Sequence, residues 1–191
     1  DGTHVTLIVD FGPSCQLLSG PEVSGQIVLE YGPRVGGFRT IDYVYQDFFF
    51  NGHQVTGGGQ IIRESENTNG NPQSSLSENI TVAFSESSVT ANRVGTRIVE
   101  WVEGVGSGTW IDNVYHIWGD WETTLSTGFV RTGLVNVTSP LVRGLALCDY
   151  IVAGVMQITQ ENLSGTLDFG DGTCDATAIL TINGIEFTIN L

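Results

Sequence analysis

Lysine is missing from this 191-residue chain: all seven of its basic residues are arginine. Against 21 Asp and Glu they leave a formal charge of −14. No basic cluster offsets that balance. Charge therefore argues against nucleic-acid binding, because phosphate contacts need Lys and Arg. The same shortage argues against docking on an anionic membrane surface. No apolar run approaches the roughly 20 residues that span a bilayer as a helix. No window combines caps with a 3.6-residue period, so an amphipathic helix is not expected. No Walker loop, nucleophile elbow or dinucleotide fingerprint occurs. The three histidines are far apart and lack metal-ligand spacing. Cysteine is scarce and odd in number: Cys15, Cys148 and Cys174 allow at most one intramolecular disulfide. Asp1 is preceded by neither a charged n-region nor an apolar h-region, so the reading is a cytoplasmic chain or one already trimmed of its signal. The acidic, β-rich composition favours the trimmed, extracytoplasmic alternative.

What is abundant is glycine, at 25 residues, and a hydrophobic period of two. Val5, Leu7, Val9 and Phe11 alternate with Thr6, Ile8 and Asp10. The same alternation recurs at Ile27–Tyr31, Ile80–Phe84 and Ile185–Leu191. Such runs read as strands with one apolar and one wet face. Further strand-like runs cover Phe38–Phe50, Gln54–Ser65, Arg93–Val102, Asn113–Thr123, Gly128–Val137, Leu141–Thr159 and Gly165–Phe169. Asn51-Gly52, Asn69-Gly70, Asp171-Gly172 and Asn183-Gly184 are turn signals, since Asn, Asp and Gly accept the positive φ of tight hairpins. Ala176–Ile182, Asn183-Gly184 and Ile185–Leu191 read as a closing two-residue hairpin. The polar stretch Glu66–Ser77 reads as a hairpin loop. Leu141–Thr159 is too long for one strand unless a break at Gly144 or Gly154 divides it. The expectation is a single all-β domain over 1–191. Its architecture would be an antiparallel meander of long hairpins forming a curved sheet, a sandwich or an open barrel. An internal echo, VDFGPSC at 9–15 and LDFGDGTC at 167–174, marks a duplication or one turn chemistry used twice.

Several constellations carry possible chemistry. Pairing continued past the Asp171-Gly172 turn brings Cys148 opposite Cys174, where a cross-strand bridge is reasonable. The alternative is two small buried apolar groups. Asp168, Asp171 and Asp175 crowd one turn and offer hard oxygen ligands for Ca²⁺. The competing reading is an Asx-type turn, in which each carboxylate bonds its own backbone. Along Asn113–Thr123, His116, Trp118, Asp120 and Glu122 share one strand face, and Tyr115, Ile117 and Trp121 the other. Trp101, Trp110, Trp118 and Trp121 are candidate stacking platforms for a sugar. Asp120 with Glu122 is a candidate glycosidase pair. Packed tryptophans and a solvated acidic surface are the plainer account of both. Arg93 and Arg97 share a face, and each is expected to meet a carboxylate across the strands. Gly57-Gly58-Gly59 reads as a bulge or a close backbone approach. N-x-[ST] triplets stand at Asn79, Asn136 and Asn162.

The ending LDFGDGTCDATAILTINGIEFTINL resembles that of an uncharacterised group of exported lipoproteins from Bacteroidetes. Those share a D-[FY]-G-x-G-x-C-D turn, a short strand, an N-G hairpin and a final strand. FFFNGHQVTGGGQI, DNVYHIWGDWETT, TSPLVRGLALCDYIVAGVMQIT and the opening VDFGPSC with SGQIVLEYG are similar to other segments of that group. The resemblance covers nearly the whole chain, and its C-terminal motif is the specific part. It implies export and an outer-membrane lipid anchor on an N-terminal Cys lying upstream of Asp1 in the precursor. It carries no catalytic residues. The missing lysines and the aromatic strand Tyr43–Phe50 depart from it.

The leading expectation is thus a non-enzymatic binding or interaction module on the cell surface or in the periplasm. Its only link to a membrane would be the removed anchor, and its partner a glycan or a protein. The alternatives are a carbohydrate-binding surface protein, a lipid-binding half-barrel and, last, a glycosidase. A sugar site needs at least two of the tryptophans exposed on one face. A lipid site needs an apolar hollow of several hundred Å³. A glycosidase needs two carboxylates facing a cleft.

Overall fold

The structure, a computed structural model, describes residues 4–17, 20–144 and 148–191. Fourteen strands follow in chain order: β1 Val5–Asp10, β2 Cys15–Gln16, β3 Glu22–Val35, β4 Phe38–Phe50, β5 His53–Glu64, β6 Gln73–Ala83 and β7 Thr90–Glu103. Then come β8 Val114–Leu125, β9 Val130–Val135, β10 Leu141–Arg143, β11 Ala153–Gln160, β12 Leu163–Asp171, β13 Thr177–Ile182 and β14 Ile185–Asn190. No helix occurs among the described residues. All fourteen strands join one antiparallel sheet, ordered β1-β3-β4-β5-β6-β7-β8-β10-β11-β12-β13-β14. β2 continues the line of β1 along β3. β9 and β10 lie end to end between β8 and β11. The meander is the expected one, and the sandwich alternative is not adopted.

Local chemistry explains the hairpins. At Asn51-Gly52 and Asn183-Gly184 both residues have positive φ, the twist that a two-residue hairpin requires. Gly57-Gly58-Gly59 is a close approach: a Cβ there would strike the carbonyl oxygens of Asn79, Tyr43 and Ser77. β4 has one extra residue opposite this run, with Asp47 at φ 46. One expectation is corrected: Glu66–Ser77 is not wholly loop, because Gln73–Ser77 already pairs with β5 and β7. Leu141–Thr159 divides as its length required: it breaks after Arg143, and β11 returns at Ala153 with a register shift at Gly154. Part of that run, 145–147, lies outside the described residues.

Because strand partners point to the same side, register sorts the sheet into two faces. One carries Leu29, Ile41, Phe48, Val55, Ile61, Leu76, Val99, Ile117, Leu141 and Leu167. It holds two separate clusters. Val23, Phe48 and Val55 pack with Phe11 and Tyr45 at one end. Val135, Leu141, Phe169 and Ala178 pack with Ile117 and Met156 at the other. A compact monomer of 20.5 kDa would expose about 8,900 Å², whereas this chain exposes 11706 Å². Roughly a third more surface than compactness predicts is the signature of a single layer. Val5, Leu7, Ile185 and Phe187 on the two edge strands are each about half exposed.

Candidate functional site

All seven arginines lie on the apolar face. Arg34 pairs in register with Arg39 and Arg39 with Arg63, while Arg93, Arg97, Arg131 and Arg143 stand opposite other residues of that side. Of the strand carboxylates, only Glu78 shares this face. Asp10, Glu30, Asp42, Glu64, Glu100, Asp120, Glu122, Asp168 and Glu186 register on the other. The chain is therefore an arginine face backed by an acidic face.

The arginine face is hollowed into a trough. Its largest hollow, about 770 Å³, is bordered by Arg97, Val99, Trp110, Asn113, Tyr115, Ile117, Leu141, Arg143 and Asp149. A second, about 260 Å³, lies over Tyr31, Ile41, Ile61, Arg63, Leu76, Arg97 and Val99. A third, about 540 Å³, is bordered by Arg34, Arg63, Glu64, Pro72, Ser74, Val99, Trp101 and Tyr115. Val99 lines all three, so they form one depression running across the strands from β3 to β10. Six strand spacings make it about 29 Å long.

The tryptophans divide. Trp110, on the β7–β8 connection, is 68% exposed beside the largest hollow. Trp101 borders the third hollow, with its ring 6.1 Å from that of Tyr115. Its Nε1 is buried without a hydrogen-bond partner. Trp121 is occupied differently. Gly95 and Gly133 stand opposite it on the neighbouring strands and leave room for the indole, and the Arg93 guanidinium covers the ring at 4.4 Å. Trp118 registers opposite Ile98 yet packs against the Val135–Leu141 cluster. So two of the four candidate platforms border the trough: Trp110 is exposed and Trp101 half-buried, so the expected pair of exposed tryptophans on one face is met by one of them.

The wall at Trp101 is set by its neighbour. Glu100 is 6% exposed, and its Oε1 accepts hydrogen bonds from the side-chain amides of Asn67 at 2.8 Å, Asn71 at 2.9 Å and Asn69 at 3.1 Å. The β5–β6 loop thus folds over one carboxylate, and the backbone N–H of Trp101 donates to the Pro72 carbonyl at 2.9 Å. Burial alone would raise the Glu100 pKa. The amides of Asn67, Asn71 and Asn69, with the charge of His116, outweigh it and hold the carboxyl below its usual range. Sequence reasoning missed this clamp. Its only signal was the N-x-N-x-N spacing of residues 67–71.

The remaining candidates fall elsewhere. Cys148 and Cys174 are joined as a disulfide, with Cα atoms 5.8 Å apart, and Cys15 is free. Asp168 accepts from the Gly170 N–H, while Asp171 and Asp175 accept from the N–H and Oγ1 of Thr173 and Thr177. Each carboxylate bends its own turn, and among the described residues no group of three His, Cys, Asp or Glu comes together. Asp10 accepts from the Gly12 N–H as Asp168 does from Gly170, so the two echoed DFG segments share one turn chemistry. Asp120 and Glu122 lie side by side and exposed on the acidic face, and Asp120 also borders a small hollow of about 140 Å³ with Glu78, Arg97, Trp118 and Trp121. Arg93 meets Glu78 at 3.0 Å, but Arg97 has no carboxylate partner among the described residues, contrary to expectation. Compared with known proteins, the chain matches no family model, no curated protein and no solved structure.

Proposed function

We propose that this chain is a non-catalytic carbohydrate-binding module of an exported bacterial lipoprotein, working at the cell surface or in the periplasm. The observation that carries the reading is the trough. It is open along its length, which suits a polymer lying across the strands. Its walls hold the exposed Trp110 and the Trp101–Tyr115 pair, rings on which a sugar can stack. Asp149 offers hydrogen bonds to hydroxyls above an apolar floor of Val99, Ile117 and Leu141. That mix of apolar surface and a few placed polar groups is what ligand sites have in common. The Cys148–Cys174 bridge favours an oxidising compartment, in keeping with export.

A lipid-binding half-barrel is the second reading, favoured by the apolar floor and the volume of the largest hollow. A single layer without a lid leaves an acyl chain half wet, which ranks this reading below the first. A glycan array probed with the purified chain tests both, together with titration of the fluorescent fatty acid cis-parinarate. Glycan binding that weakens in Trp110→Ala supports the carbohydrate reading. Saturable parinarate binding with a blank array overturns it in favour of the lipid.

A further inference from the structure

We propose that the trough takes an acidic polysaccharide, whose carboxylates or sulfates are gripped by Arg34, Arg63, Arg97 and Arg143. This rests on the carbohydrate-binding reading and narrows it to a chemical class.

The assignment follows from which arginines are already committed. Arg93 is paired with Glu78 and lies over Trp121. Arg131 donates to Gln160 and sits over the Phe129 ring. Arg39 donates to the Gly32 carbonyl and lies over Tyr31. The other four have neither an ion pair nor a side-chain hydrogen bond among the described residues. These same four line the trough, in sequence: Arg34 with Arg63 in the third hollow, Arg63 with Arg97 in the second, Arg97 with Arg143 in the largest.

Electrostatics gives the vacancy a sign. Arg34, Arg39 and Arg63 stand directly opposite one another on three adjacent strands. Like charges in that position destabilise a sheet, and a bound anion relieves them. Guanidinium groups also match carboxylate and sulfate oxygens in paired hydrogen bonds, and they stack on rings. Spacing then selects a polymer. Arg34 and Arg63 are two strands apart, about 10 Å, and Arg63 to Arg97 adds two residues along the strand, about 12 Å in all. One head group cannot bridge both gaps, whereas a glycan with an acid on every ring or every second ring meets each arginine in turn. Two carboxylates at the rim accept from sugar hydroxyls: Asp149, and Glu64, which registers on the other face but borders the hollow from the end of β5. The acids that make the chain −14 lie mainly on the opposite face and in turns. Behind the sheet, at about the 8 Å screening length of physiological salt, their repulsion is weakened.

The test is calorimetric titration of the native chain with polygalacturonate, chondroitin sulfate, neutral dextran and single-stranded DNA in 0.15 M salt. Sedimentation of the protein alone runs beside it. Expected are binding to one or both acidic glycans, no binding to DNA, and about tenfold weakening in each of Arg63→Gln and Arg97→Gln. Arg131→Gln, on the same face but already paired, should bind like the native chain. Circular dichroism confirms that each variant is folded, and Arg97→Lys, which keeps the charge but loses the fork, should fall between. Equal binding of dextran, unaffected by Arg97→Gln, overturns the acidic ligand and leaves the carbohydrate reading standing. Equal binding of DNA shows a site that reads charge alone and overturns this assignment. Self-association lost in the arginine variants, without glycan binding, shows the acidic face of a second copy to be the occupant and overturns both. Binding to no glycan at all overturns both as well.

Discussion

Replacing Glu100 by Gln should destabilise the chain more at neutral pH than at acid pH. In the native fold a single carboxylate oxygen receives three amide donors at 2.8–3.1 Å while the residue is 6% exposed. A hydrogen bond to a charged group is worth about 1.5–3 kcal/mol net, against about 1 kcal/mol for a neutral pair. Making three such bonds neutral loses roughly 0.5–1 kcal/mol each, offset in part because an amide costs less than a carboxylate to bury. The expected loss is about 2 kcal/mol, or roughly 4–8 °C in Tm for a chain of this size. Glu100→Leu, which leaves the three amides without an acceptor, should cost about 3 kcal/mol. The pH dependence follows from the direction of the shift. Folding lowers the Glu100 pKa, so its contribution is whole above the ordinary value of 4.5 and is lost as pH falls through the folded value. The Tm gap between native chain and Glu100→Gln should therefore be widest above the ordinary value of 4.5 and narrow as the pH falls below it. Thermal melts by circular dichroism from neutral to acid pH measure it. A gap that is absent at pH 7, or that widens as the pH falls, refutes the argument.

Two further outcomes concern the scaffold. Reducing the Cys148–Cys174 bridge, which closes 26 residues of sequence, should cost about 3.5 kcal/mol in the chain-entropy account. Thiol titration of the native protein should find one free group, Cys15, and a count of three would refute the bridge. Gly133→Ala places a Cβ against the Trp121 indole. It should destabilise by about 2 kcal/mol and change the tryptophan fluorescence, while Gly128→Ala, where a Cβ meets nothing but φ is positive, should leave the spectrum alone. A matching spectral change in both variants would refute the packing of Trp121 on Gly133.

The sheet was legible because period two and Asn-Gly turns are local signals. Asn183-Gly184 placed the last hairpin, and the alternation through His116, Trp118 and Asp120 gave the two faces of β8 as the register has them. The breaks were legible where glycine or a polar gap marks them, as between Gly128–Val137 and Leu141–Thr159 and at Gly144 and Gly154. The bulges were not: the extra residue at Asp47 depends on what lies across the ladder, not on the residues themselves. That is also why the arginine face escaped notice. Arg93 and Arg97 are four apart on one strand, so their shared side follows from parity. Arg34 joins Arg39 and Arg63 only because β3 shifts register between Tyr31 and Arg34. Gly36-Gly37, with positive φ at both residues, makes the same kind of two-residue hairpin as the Asn-Gly pairs and was passed over. The trough was the least legible feature, since its walls come from a loop, a broken strand and three hairpins. The Glu100 clamp needs a carboxylate about thirty residues from its donors.

The absence of lysine acquires a meaning once the charges are placed. A single-layer sheet has two wet faces and two open edges, so its residues must supply what a second layer would otherwise supply. An arginine stem covers apolar surface while its head reaches water, and the planar head can rest on a ring, as Arg39, Arg93 and Arg131 do on Tyr31, Trp121 and Phe129. An ammonium, compact and strongly hydrated, does the second task poorly. The carboxylates, gathered on the other side, keep two acidic faces from stacking and hold the chain in solution. The same segregation leaves the arginine face short of anions: of the seven guanidiniums, three lie on rings and four line the trough without a partner. A face built this way lowers its own energy when an anion arrives. On the proposed reading, that shortage sets the ligand's charge, and the aromatic wall of Trp110, Trp101 and Tyr115 narrows the anion to one carrying sugar rings.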